Sequence, residues 1–214
     1  MLAHPDKIAQ MPRPAAGETP TYEKILEVAA ELFYTRGFNA VGVDQIGAGA
    51  GISGPAIYRH FAGKDEILAT LFEHAIDDVL VETASEFDDP HEALEHHVRA
   101  HATYAMRDRR MAAILIHEGR SLADPYRRRL DRRQADYVAG FAAKVEACYP
   151  DAKSRSLPAT WAAVATLNSI AITPHSVDQQ DVMELLVLFV IEGFKVLVPT
   201  GGRAPAKKRA RSAG

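Results

Sequence analysis

Asp44-Gln45-Ile46-Gly47-Ala48-Gly49-Ala50-Gly51-Ile52-Ser53-Gly54-Pro55-Ala56-Ile57-Tyr58-Arg59-His60-Phe61 is the stretch that decides the fold. It reads as a short helix, a tight turn and a second short helix. Ile46, Ala50, Ile52, Ile57 and Phe61 fall where two such helices can share a small core. Gly51 allows the positive φ that the turn needs. Ser53 is a good N-cap, and Pro55 suits the first turn of the helix that follows. Gly54, Pro55, Ala56, Tyr58, Arg59 and His60 are left on the outer side. A small, smooth start followed by aromatic and basic side chains suits a helix entering a DNA major groove. A plain helical hairpin inside a bundle has the same pattern, and the stretch by itself leaves both readings open.

Upstream, Thr19 and Pro20 open a helix as cap and first residue. Ile25, Ala29, Leu32 and Phe33 line one face of it, and Arg36 with Gly37 end it. Glu23, Glu27 and Glu31 lie off that face and should point away from any DNA. Residues 1–18, with Pro5, Pro12, Pro14 and Gly17, read as a mobile arm; Lys7 and Arg13 in it could brush phosphates. Downstream, Gly63 breaks the chain before Lys64-Asp65-Glu66 opens a longer helix containing Ile67, Leu68, Leu71, Phe72, Ile76, Val79 and Leu80.

From Tyr22 to Leu71 the sequence resembles the DNA-binding domain of TetR-type (TetR/AcrR) bacterial transcriptional regulators. The residues that carry the likeness are Ala29, Leu32, Phe33, Gly37, Phe38, Ile46, Ala50-Gly51-Ile52-Ser53, Ile57-Tyr58-Arg59-His60-Phe61, Lys64 and Leu68. The resemblance implies an all-α protein: an N-terminal three-helix helix-turn-helix domain and a larger C-terminal helical bundle for ligand binding and dimerisation. It places the helix-turn-helix at 19–67 and the larger domain at 68–199. Two positions depart from the family pattern. Gly42 stands where Thr or Ser usually opens the second helix, which removes a hydroxyl that could hold a phosphate. Gly47 stands where Ala is usual and, with Gly49, loosens the supporting helix by roughly 0.5–1 kcal/mol per glycine.

For double-stranded operator DNA the expected contacts are Ser53, Gly54, Pro55, Ala56 and Arg59 in the groove, with Tyr58, His60 and Lys64 on phosphates. Gly54, Pro55 and Ala56 can offer close approach and contact with thymine methyls; Arg59 is the candidate for guanine. One short recognition helix makes few base contacts, so a two-fold dimer reading a palindrome is the expected active form.

Beyond residue 70 the pattern is helical without motifs. Helices are predicted from Pro90 to Arg107, Arg109 to Gly119, Tyr126 to Ala147, Ser154 to Thr173 and Asp181 to Leu197, with Pro174-His175-Ser176 as a turn. Arg127-Arg128-Arg129-Leu130-Asp131-Arg132-Arg133 is a charged run near the start of the third of these. Val182, Leu185, Leu186, Leu188, Phe189, Ile191 and Phe194 make the last helix apolar nearly all round. Cover can come from its own chain or from a partner subunit. The resemblance implies the partner, through a four-helix homodimer interface made by the last two helices. It also implies a pocket for a small-molecule effector. His101, Tyr104, His117, Tyr137, Phe141, Trp161 and Asn168 are the candidate lining residues, and an apolar, acyl or aromatic ligand would suit them. The tail holding Arg203, Lys207, Lys208, Arg209 and Arg211, at 200–214, reads as disordered and basic.

Composition sets the outer limits. A net charge of −3 over 214 residues excludes a global basic field, so DNA attraction must be local. Cys148 is the single cysteine, which excludes a disulfide framework and fits a reducing cytoplasm. No segment reads as a signal peptide or membrane span. His91, His96, His97, His101 and His117 cluster in the middle of the chain. His97 and His101 have the i, i+4 spacing that can hold a metal, but no HExxH run occurs and no metal or cofactor is expected. The reading is a ligand-responsive regulator, most simply a repressor, and not an enzyme. A DNA-binding dimer governed by protein partners and a helical-bundle metalloenzyme are the alternatives.

Overall fold

A computed structural model describes residues 19–84, 86–174 and 176–197. The arm with Lys7 and Arg13, the side chains of Thr19 and Pro20, His175 and the basic tail lie outside the described residues. Those described form α1 (Thr19–Arg36), α2 (Val43–Ala50), α3 (Gly54–Ile57), α4 (Lys64–Glu82), α5 (Pro90–Arg107), α6 (Arg109–Glu118), α7 (Tyr126–Cys148), α8 (Lys153–Asn168) and α9 (Gln179–Lys195), with short 3₁₀ turns at Phe38–Ala40, Pro150–Ala152 and Ser169–Ile172. Among them there is no strand. No described helix is long and apolar enough to cross a membrane.

The chain packs as two compact units that do not follow its linear order. The first holds residues 19–78 together with Asp108–Arg133; the second holds Val79–Arg107 and residues 134–197. Residues 68–78 and the segment 108–133 are thus the difference from a linear division into 19–67 and 68–199. Its attachment is specific. The Glu118 carboxylate accepts from the Phe38 N–H at 3.2 Å, the Asp65 carboxylate accepts from the Ala123 N–H at 3.0 Å, and Arg110 pairs with Glu31 at 3.2 Å. Arg129 and Arg133 on α7 pair in turn with Glu73 and Asp77 on α4. Matching i, i+4 steps on both helices set the two to run parallel over this stretch.

In the first unit Ile25, Ala29, Phe33, Ile46, Ile57, Phe61, Ile67, Leu68 and Phe72 are buried. Phe33 packs on Phe38, and Tyr22 stacks on Phe61 with centroids 4.8 Å apart. Gly51 ends α2 in the left-handed region at φ 74°, where a Cβ is disfavoured. The absent Cβ of Gly47 also has a use: it would sit 3.0 Å from the Gly54 nitrogen and the Ile52 carbonyl oxygen. Gly47 therefore lets the turn close tightly on α2, beyond loosening the helix. At Gly42 no hydroxyl is available, yet its N–H is satisfied by Gln45 Oε1 at 2.9 Å, half of a capping box.

In the second unit Leu94, Val98, Ala102 and Ala105 of α5 pack with Phe141 and Val145 of α7, Ala163 and Leu167 of α8, and Met183, Val187, Val190 and Phe194 of α9. Asp178 caps α9 by accepting from the Gln180 and Asp181 N–H groups. The inward face of α9 repeats at i, i+4, i+7 and i+11, the spacing of one helical stripe.

Candidate nucleic-acid interface and buried polar site

The recognition element is shorter than the sequence suggests. α3 covers Gly54–Ile57, and Tyr58 to His60 extend it as one looser turn closed by the Arg59 N–H on Ala56 and the His60 N–H on Ile57. Ser53 stands at the N-cap position with extended φ/ψ, but its side chain makes no cap hydrogen bond, so its hydroxyl is unused. Ile57 is fully buried and anchors the inner side, while Tyr58 is 61% exposed. Ser53, Pro55 and Arg59 are exposed, and Gly54, Ala56 and His60 are half-buried. Asp44 adds a group that pattern reading missed: its carboxylate lies against Gly54, where a Cβ would meet Asp44 Oδ1 at 1.8 Å. A side chain at position 54 would displace Asp44 from the start of the recognition helix.

Lys64 does not point outward to a phosphate. Its Nζ donates to the carbonyls of Phe38 and Val41, at 3.0 Å each, and sits 4.4 Å from the Phe38 ring centroid. It clamps the 3₁₀ turn that joins α1 to α2. Charge-assisted bonds of this kind contribute more than neutral ones, so the lysine is satisfied by the fold that displays the recognition helix.

The second unit encloses a polar chain. Tyr137 Oη lies 2.6 Å from His101 Nδ1 and 3.1 Å from His97 Nε2, and His101 Nε2 lies 3.1 Å from Asn168 Oδ1. The Asn168 carbonyl requires a proton on His101 Nε2. His101 Nδ1 then accepts from the Tyr137 hydroxyl, and the phenol oxygen accepts from His97 Nε2–H. His97 Nδ1 ends the chain buried, with the Thr83 backbone as its polar neighbour and no hydrogen bond of ordinary geometry. Phe141 packs on the His97 ring with centroids 4.1 Å apart. Burial depresses His97 to about 3 and His101 to about 4, and it pushes the Tyr137 phenol well up, so all three are neutral near pH 7.

The profile of bacterial regulatory proteins of the tetR family matches residues 25–71, and that of the tetracyclin repressor-like C-terminal domain matches residues 88–175. The chain belongs to the TetR family. Similar curated TetR regulators include the transcriptional activator FasR of Mycolicibacterium smegmatis, 35% identical over 57 residues (27% of this chain and 26% of FasR). The transcriptional repressor KstR2 of Mycobacterium tuberculosis is 33% identical over 104 residues (42% of this chain and 52% of KstR2). The match therefore spans about half of KstR2 and a quarter of FasR. Among solved TetR structures, AibR in complex with isovaleryl coenzyme A and operator DNA aligns with TM-score 0.68 at 20% identity, over 78% of this chain and 96% of AibR. These regulators are not enzymes.

On this TetR scaffold the candidate ligand residues separate into two groups. His101, Tyr137, Phe141 and Asn168 come together, joined by His97, which the sequence marked through its i, i+4 step from His101. Tyr104 is buried, with Arg107 against its ring. His117 is exposed on α6, in the other compact unit, and Trp161 is 43% exposed on α8; neither joins the polar chain. Both sit on helices whose apolar stripe faces elsewhere, and pattern alone could not tell which stripe that would be. Among the described residues no three His, Cys, Asp or Glu side chains converge as a metal site.

The depressed imidazoles make stability depend on pH. Unfolded, each His takes up a proton near 6.5; folded, each resists it down to about 3 or 4. The contribution is fully present above pH 6.5 and is lost as pH falls toward the folded values, by up to about 1.4 kcal/mol per pH unit per group. Urea midpoints measured from about pH 7 to about pH 5 should fall, and fall less for His97→Gln. Parallel curves for the two proteins would mean that His97 is protonated in the folded state.

Proposed function

We propose that this chain is a ligand-responsive, DNA-binding transcriptional regulator that works as a homodimer. The observation that carries the reading is the outer side of the recognition element, from Ser53 to His60, presented to solvent on a turn whose inner side is sealed by Ile57 and Phe61. Gly54, Pro55 and Ala56 permit close approach to base edges, and Arg59 supplies a forked donor suited to guanine. Tyr58 and His60 are the phosphate contacts; Lys64 supports them from within.

The effector, in this reading, is an apolar or acyl-type molecule held in the unit formed by Val79–Arg107 and residues 134–197. Its polar end would compete for the His101, Tyr137 and Asn168 hydrogen bonds. AibR, solved with isovaleryl coenzyme A and operator DNA, and the ketosteroid transcriptional regulator KstR2 of Mycobacterium tuberculosis support that class. A ligand favouring dimers with mis-spaced recognition helices lowers operator affinity, which makes the protein a repressor relieved by its effector.

Selection of bound genomic fragments tests the DNA half and should return a palindrome. On that operator Arg59→Ala should cost about 1–3 kcal/mol and relax preference at one base pair per half-site. An equal loss on every sequence would move Arg59 to the phosphates. Mobility shift of the operator with acyl-CoA thioesters and sterols tests the ligand half. Unchanged binding with the whole set would remove the effector role.

A further inference from the structure

The recognition element is poor in cations for a DNA-binding surface. From Gly42 to Gly63 the sequence holds one arginine or lysine, Arg59, beside Asp44. Lys64 is occupied by two carbonyls, Lys24 pairs with Glu27, and Arg110 pairs with Glu31. Duplex affinity depends on neutralising several phosphates, not one. With a net charge of −3 the remaining cations must lie on a local surface.

The same compact unit carries such a surface on the α6–α7 connection and the first two turns of α7. Between residues 120 and 133 stand six arginines and two aspartates. Arg129 and Arg133 are neutralised by Glu73 and Asp77. Arg120 is exposed. Arg127 and Arg128 share one carboxylate, Asp124, at 3.2 and 3.8 Å, with their side chains 48% and 65% exposed. Exposed pairs of this kind are weak and exchange readily with other anions.

Placement favours the recognition side. α4 begins three residues after Phe61 closes the recognition turn. The connection is pinned to that first turn of α4 by the Ala123 N–H on Asp65, and to the α1–α2 turn by Glu118 on the Phe38 N–H. α7 then runs parallel to α4 with Arg129 beside Glu73, so Arg127 and Arg128 stand level with the middle of α4, and their side chains turn back to Asp124, next to the Ala123 that is pinned to the first turn of α4.

We propose that the α6–α7 connection and the start of α7 form a second DNA contact, in which Arg120, Arg127 and Arg128 hold duplex phosphates flanking the half-site read from α3. This inference rests on the DNA-binding reading and adds a surface to it. The contact is to the backbone, so it contributes affinity and salt dependence without sequence preference.

The test measures affinity against salt for the selected operator and for a short mixed-sequence duplex, using the full-length chain. The triple variant Arg120→Ala, Arg127→Ala, Arg128→Ala should lower the log–log salt slope by about 3 per bound subunit and weaken binding roughly 100- to 1,000-fold per subunit near 0.1 M salt, by the same factor on both duplexes. The corresponding Arg→Lys triple should keep the slope. Lys153→Ala with Arg155→Ala, which removes charge from the other compact unit, should also keep it. A wild-type slope in the alanine triple overturns the proposal, as does an equal fall in the Lys153/Arg155 variant. If the wild-type chain binds neither duplex, the DNA-binding reading itself falls, a result distinct from an unchanged slope.

Discussion

Replacing Tyr137 with Phe is expected to destabilise the protein by roughly 2–4 kcal/mol, although it removes a single oxygen. The phenol serves two imidazoles at once, accepting from His97 Nε2 and donating to His101 Nδ1. Both rings are buried, so neither recovers the lost partner from water. Each orphaned group costs on the order of 1–3 kcal/mol, a large share of the roughly 5–15 kcal/mol that holds a domain together. The melting temperature should fall by roughly 5–15 °C. A double-mutant cycle isolates the cause. His101→Leu removes one orphan in advance, so Tyr137→Phe should cost about 1–2 kcal/mol less in that background. Additive losses would show that the hydroxyl matters for packing and not for the imidazoles.

That polar chain also marks the limit of what the residues alone could tell. Gly51, Pro55 and the buried positions Ile46, Ile57 and Phe61 were legible because turn geometry and helical period act over a few residues. The helix ends at Pro90 and Gly119 followed for the same reason. Lys64 was legible as a fixed position but not as a role. Its distance to Phe38 and Val41 depends on how α4 leaves the recognition helix, and an exposed lysine beside a DNA-binding motif is more simply read as a phosphate contact. His101 and Tyr137 lie 36 positions apart, and which stripe of α5 meets which stripe of α7 is set by packing of the whole unit. His117 and Trp161 show the converse: aromatic and polar side chains at helical spacing that packing leaves outside. Segment 108–133 packs with the helix-turn-helix through Glu118, Ala123 and the Arg129 and Arg133 ion pairs, contacts that no local pattern announces.

The last helix carries the second large effect. Its inner stripe, Met183, Val187, Val190 and Phe194, is buried in its own chain, which accounts for four of its ten apolar residues. Leu185 and Leu188 are each 50% exposed and Phe189 is 63% exposed, while Leu157 and Trp161 stand out from α8. Burial within one chain therefore does not explain them. Between α8 and α9 runs an apolar groove of about 320 Å³, floored by Ala159, Ala162, Ala163 and Gly193 and edged by Phe189. Small residues on the floor let another helix approach closely, and a two-fold partner presents the same ridge and groove in return. If these faces meet as a four-helix interface, Phe189→Asp places a carboxylate in each half of a dry, self-complementary surface. The dimer dissociation constant should rise at least about 100-fold, near 3 kcal/mol. Helical content should be retained, because Phe189 contributes little to the core of its own chain. Operator affinity should fall with the dimer, since two half-sites are no longer read by one tethered pair. Sedimentation velocity on the purified variant checks the first expectation and circular dichroism the second. A folded Phe189→Asp protein that remains dimeric at micromolar concentration would place the partner subunit on some other face.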